Sequence, residues 1–167
     1  VDDYIDIGAD LPIGTMGEGS TIAVWTRFDQ YPAATYSYTL VGDYWGASDS
    51  TFSNSLAVSG TSHGVGYTRR HNGTTYNVVN ENTVGPSTWQ FIAATADVGG
   101  DMRVYVNGEL IGSGTYDTTV DYVSDPFWRI GRNSYSNITH DGEIDDVRLY
   151  NRVLSEQEIE ALYSEGG

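Results

Sequence analysis

Apolar and polar residues along this chain fall into short alternating runs rich in Thr, Val, Tyr and Trp, divided by clusters of Gly, Asn, Asp and Ser. That pattern belongs to β-strands joined by turns. Strands are expected at Tyr4–Ile7, Thr21–Asp29, Thr35–Gly42, Ser55–Val58, Gly64–His71, Thr74–Val79, Trp89–Asp97, Met102–Val106, Glu109–Thr115, Phe127–Gly131 and Glu143–Tyr150. Asn72-Gly73 and Asn107-Gly108 lie between extended runs, the dipeptide that a two-residue type I′ hairpin demands. Gly99-Gly100 joins two further runs. A single helix is expected over Glu156–Tyr163: Ser155 and Glu158 form a capping box, and Ile159, Leu162 and Tyr163 point inward. Many strands with one terminal helix make an all-β, two-sheet antiparallel β-sandwich of jelly-roll type, built as one domain over residues 1–167.

The last strand does not keep one alternation. Val147 and Leu149 share a face, but Ile144 falls on the other, with Asp145 and Asp146 between them. A side chain changes face at every residue, so this break in parity means a β-bulge or a strand buried on both sides.

The whole closing segment, GEIDDVRLYNRVLSEQEIEALY from Gly142 to Tyr163, resembles the end of LamG-like domains of the concanavalin A-like lectin/glucanase superfamily. Other pieces match in the same order: VDDYIDIG at Val1–Gly8, STIAVWTRF at Ser20–Phe28, WQFIAAT at Trp89–Thr95, MRVYVNG at Met102–Gly108 and IGRN at Ile130–Asn133. The resemblance implies a concanavalin A-like sandwich whose opening strand lies beside the closing one. It does not fix the function, because lectins, adhesins, binding modules and enzymes share this fold.

Charge narrows the choice. The formal net charge is −15, and all eight basic residues are Arg. Abundant Asp without Lys resembles proteins of salt-loving archaea, the alternative being an acidic secreted bacterial domain. A surface so acidic argues against nucleic acid, which needs a basic stripe, and against anionic membranes. No run is apolar enough to insert into a membrane. There is no Cys, so disulfides and thiolate chemistry are excluded. The chain opens directly on a strand at Val1, as expected for a piece of a larger surface or secreted protein.

Catalytic patterns are poor. Glu143-Ile144-Asp145 copies the first half of the E-x-D-x-x-E or E-x-D-x-E strand of laminarinase-type enzymes, but Arg148 and Val147 stand where the second Glu would be. His63, His71 and His140 are isolated and lack metal-ligand spacing. No enzyme is expected.

Binding chemistry is richer. Sugar rings present apolar C–H faces to aromatic side chains and hydroxyls to fixed polar groups. Trp25, Trp89 and Trp128 sit in apolar runs and are expected in the core, whereas Tyr44 and Trp45 lie in the polar stretch Asp43–Gly46. Tyr67, Arg69 and His71 share one face of a strand and would make a platform for hydroxyls or an anion; counter-charges for nearby carboxylates are the equal alternative. Arg132, Asn133 and Tyr135 would rim the same surface. Modules similar to this one often hold a structural Ca²⁺, which the resemblance places between Asp2 and Asp3 of the opening strand and Asp145 and Asp146 of the closing one. A solvated acidic edge is the alternative there. Asn72-Gly73-Thr74 and Asn137-Ile138-Thr139 are glycosylation sequons. The chain is therefore expected to be a non-catalytic, extracellular or cell-surface module that binds a glycan or polysaccharide. The second reading is a structural or protein-binding module that meets another surface protein.

Overall fold

The computed structural model describes residues 3–8, 19–44, 52–71, 74–116, 128–132 and 138–166. Its strands are β1 (Ile5–Gly8), β2 (Ser20–Phe28), β3 (Ser37–Tyr44), β4 (Phe52–Ser59), β5 (Val65–His71), β6 (Thr74–Val79), β7 (Gln90–Ala96), β8 (Asp101–Val106), β9 (Glu109–Thr115), β10 (Trp128–Ile130) and β11 (Gly142–Tyr150), followed by helix α1 (Glu156–Gly166). All strand pairs are antiparallel. A six-stranded sheet runs β1-β10-β3-β4-β5-β6, and a five-stranded sheet runs β11-β2-β7-β8-β9.

One hairpin follows directly from the turn chemistry. The β8–β9 ladder ends at Val106↔Glu109, and Asn107 and Gly108 both take positive φ, 51° and 82°. A type I′ turn requires this of both central residues. The β5–β6 ladder closes at His71↔Thr74, and Asn72 and Gly73 between them lie outside the described residues.

Ile22, Val24, Leu40, Leu56, Val58, Tyr67, Ile92, Met102, Val104 and Trp128 fill the space between the sheets. A second layer lies behind the five-stranded sheet. There Ala23, Trp25, Phe91, Ala93 and Tyr105 meet Leu154 and Ile159 of the α1 segment. The two alanines let the helix come close, and Trp25 stacks on Tyr163 with centroids 5.8 Å apart. Burial on both faces explains why β2 and β7 read as apolar runs without alternation. Among the described residues, the outer face of the six-stranded sheet carries no such layer and shows Ser55, Ala57, Thr68 and Asn77.

The helix starts where its capping box predicts. The Ser155 amide donates to Glu158 Oε2 (2.8 Å), and the Glu158 amide donates to Ser155 Oγ (3.3 Å). The Arg152 guanidinium and the Ser155 amide hold the Glu158 carboxyl far down, at about 2. Buried Thr21 ties the incoming chain to β2, donating to the Arg152 carbonyl and accepting from the Leu154 amide.

One open expectation is resolved and two change. The parity break in β11 is a bulge: the register against β2 shifts between Asp145 and Arg148, and Asp146 takes φ 47°. Trp89 is 41% exposed and not in the core, because it precedes β7 at the end of a turn; Trp25 and Trp128 are buried. The opening and closing strands are not paired neighbours either. β1 is the edge of one sheet and β11 the edge of the other.

The remaining edges, β6 and β9, are drawn together across the sandwich by glycine. A Cβ on Gly112 would lie 2.4 Å from Asn80 Nδ2 and 3.0 Å from Val78 Cγ1. One side of the sandwich is thus zipped, while on the other side β1 and β11 face each other across a cleft.

Ile159 is fully buried under this helix. Ile159→Ala should cost about 3 kcal/mol, seen as a fall of about 9 °C in Tm. Val153→Ala, at a site 37% exposed, should stay within about 0.5 kcal/mol of the parent.

Candidate ligand-binding cleft

The cleft holds about 500 Å³ and is lined from both edges: Asp3, Tyr4 and Ile5 lead into β1, Ile130 and Gly131 end β10, and His140–Ile144 enter β11, with Arg27 and Asp29 at the end of β2. Its walls rest on backbone that only glycine can supply. Gly142 has φ 155°, and a Cβ there would lie 2.1 Å from the Arg27 carbonyl oxygen. Gly131 has φ 80°, in the region that favours glycine. The connection between β10 and β11 is fastened at both ends. The His140 amide donates to the Gly131 carbonyl (2.7 Å), and the Asp29 amide donates to the Asp141 carbonyl (2.8 Å).

Polar groups in the cleft are held by one another. Arg27 Nε donates to Glu143 Oε2 at 2.8 Å, and Arg27 Nη1 lies 3.6 Å from Asp29 Oδ1. These carboxylates raise the Arg27 pKa above its ordinary value. Gln30 Nε2 donates to Asp141 Oδ2 at 2.8 Å. His140 Nε2 is 3.1 Å from Thr26 Oγ1, which in turn donates to the Glu143 carbonyl. Burial lowers the His140 pKa from its ordinary 6.5, against the carbonyls of Arg27 and Glu143 and the charges of Asp141 and Asp29, which raise it. The imidazole is thus neutral at pH 7, packed edge-on against Tyr38. The Tyr4 ring has the guanidinium groups of Arg132 (4.5 Å) and Arg129 (5.6 Å) over it, and Arg129 also pairs with Asp6 at 3.9 Å.

The sequence-based candidates scatter. Tyr67 and Arg69 do share a face with Val65, but that face is the interior: Tyr67 is fully buried, and Arg69, 5% exposed, sits 4.5 Å over the Tyr116 ring. The expected platform is therefore corrected to a core contact, because Val65, also buried, turns this face inward. Only the backbone is described for Tyr44 and His71, at the ends of β3 and β5; Trp45, Asn133 and Tyr135 lie outside the described residues. Arg132 does come to the cleft, on Tyr4.

For the metal set, Asp2 lies outside the described residues and Asp3 lines the cleft. Asp145 and Asp146 sit at the bulge. Asp146 is forked to Arg148, with Nε–Oδ1 2.9 Å and Nη2–Oδ2 2.8 Å, and Asp145 Oδ1 accepts the Asp146 amide. Among the described residues no three acidic or imidazole groups converge on one point. Ca²⁺ draws on six or more oxygens; of the four carboxylates expected to supply some of them, Asp146 is engaged by Arg148 and Asp2 lies outside the described residues.

The sequence reading passed over Arg27 and Asp29, set His140 aside as an isolated histidine, and placed Asp141 only among the carboxylates beside the closing strand. The usable signal was His140-Asp141-Gly142-Glu143, four polar or flexible residues ahead of the closing strand, together with Gly131. The bulge also breaks the alternation that a glucanase strand needs to aim two Glu at one cleft, and Glu143 is bound by Arg27.

A two-sheet jelly roll with a helix behind one sheet and a cleft between two edge strands defines a concanavalin A-like module. The chain belongs to the concanavalin A-like lectin/glucanase superfamily, whose Laminin_G_3 family model matches residues 1–160. No curated protein matches it. Among solved structures it is similar to the CBM40 of a Ruminococcus gnavus IT-sialidase bound to α2,3-sialyllactose, with TM-score 0.71, 19% identity, 98% of this chain and 95% of that one. It is also similar to the binding domain of botulinum neurotoxin serotype G (TM-score 0.69, 19% identity, 91% of this chain) and to the receptor binding domain of botulinum neurotoxin D (0.71, 17%, 98%). This chain spans 37% and 42% of those two.

His140 links the cleft to pH. Its folded pKa lies below the unfolded value, so its contribution to stability is complete above about pH 6.5 and is lost as pH falls toward the lowered folded pKa. Wild-type Tm should drop as pH falls below about 6.5. His140→Gln, which cannot titrate, should flatten that part of the profile; an unchanged slope would show that His140 is not the group responsible.

Proposed function

We propose that this chain is a non-catalytic glycan-binding module and that the edge cleft is its site. The observation that carries the reading is the mixture of groups on one open surface of about 500 Å³. Ile5, Ile130, Ile144 and Tyr4 offer an apolar side to the C–H face of a sugar ring. Asp3, Asp141 and Glu143 accept from hydroxyls, and Arg27 donates to ring or hydroxyl oxygens. Asp141 is already held by Gln30, and Arg27 and Glu143 by each other with Asp29 beside them, so little is lost in ordering these three when ligand arrives. The fold relatives that carry sialyllactose or act as toxin binding domains support the same class of activity.

An extracellular or cell-surface setting in strong salt belongs to this proposal, supported by the charge of −15 with no Lys. No helix among the described residues is long and apolar enough to cross a membrane. The binding mechanism routes nothing through calcium.

Isothermal titration with oligosaccharides found on a glycan array tests the site. Asp141→Asn keeps an acceptor for Gln30 but removes the charge; hydrogen bonds to charged groups are the stronger ones, so affinity should fall roughly tenfold. Tyr4→Ala should fall by a similar factor, both with unchanged Tm. A chelator should leave the affinity as it was. An array on which the folded wild type binds no glycan would defeat the proposal and favour a protein-binding module.

A further inference from the structure

Resting on that reading, we infer that the cleft takes glycans free of acidic groups and rejects sialylated, uronic and sulfated ones. The argument is the state of its cations. To hold a sugar carboxylate or sulfate, a site needs a guanidinium or ammonium whose charge is not already matched. Arg27, the one cation among the described lining residues, faces Glu143 at 2.8 Å and Asp29 at 3.6 Å. Arg129 and Arg132 flank Tyr4 rather than the cleft floor, and Arg129 faces Asp6.

Among the described residues around the mouth, the carboxylates of Asp3, Asp6, Asp29, Asp141 and Glu143 stand against these three guanidinium groups, two more negative charges than positive while His140 is neutral. An incoming anion meets repulsion and finds Arg27 taken. A neutral sugar meets carboxylate acceptors already in place, and a pair of adjacent hydroxyls fits a carboxylate with two acceptor oxygens. The ligand class therefore differs from the sialyllactose bound by the Ruminococcus gnavus module, although the fold is shared. Fold sets where a cleft lies; the charges on its edge residues set what enters.

The test uses matched glycan pairs that differ only in an acidic group, such as lactose against sialyllactose and plain against sulfated chains, on the wild-type chain. Salt is varied over the range in which a melting curve shows it folded. The neutral member should bind at least roughly fivefold more tightly near 0.1 M salt, the size of one contact-distance charge repulsion in water. The gap should close toward molar salt, where the screening length falls to about 3 Å. Glu143→Gln removes one carboxylate and releases Arg27, so it should narrow the gap by improving the acidic member. Tighter binding of the acidic member by the wild type would overturn the inference and leave the glycan-binding reading standing. Binding of no member, neutral or acidic, anywhere on an array would remove both. The wild-type salt series decides the matter even if Glu143→Gln fails to fold.

Discussion

A β-sandwich that does not close into a barrel must dispose of four sheet edges, and everything distinctive here follows from how this chain treats them. Edges β6 and β9 are brought together by Gly112 and Gly114, whose missing side chains admit Val78 and Asn80. Edges β1 and β11 are left facing each other. Their exposed ends are polar and charged, which blunts pairing with another chain, and the same residues make the walls of a cleft. Edge protection and binding chemistry are supplied by one set of side chains.

Stiffness behind the cleft comes from the far side of the five-stranded sheet. Helix α1 covers Trp25 and Phe91, and Thr21 locks the chain that leads into it. β2 is then buried on both faces up to Thr26, one residue before it delivers Arg27 to the cleft. Asp29 and Glu143 reach the same place through backbone bonds from Asp141 and register against β2. Placement of the charged groups thus depends on packing about one sheet thickness away.

Much of this architecture was legible in the sequence because its signals are local. The Asn107-Gly108 turn, the Ser155–Glu158 box and the parity break at Asp145 each use a backbone rule confined to a few residues, and each appears where expected. What failed was anything that depends on which side of a strand faces a partner. Alternation put Val65, Tyr67 and Arg69 together correctly, but period two cannot say which face is interior; the opposite sheet decided that. Trp89 looked like a core residue in an apolar run, yet it stands at a turn. The cleft was missed because it joins Asp3, Arg27 and His140, groups more than a hundred residues apart at the extremes, and no spacing rule links them.

The most direct measurement is nuclear magnetic resonance of the labelled chain during titration with a neutral oligosaccharide. Edge-cleft binding predicts shifts at the His140 ring and at the amides of Gly131 and Gly142, with Ser55 and Thr68 on the open sheet face unmoved. Shifts confined to Ser55, Thr68 and Asn77, with His140 unchanged, would put the ligand on the sheet face and contradict the account.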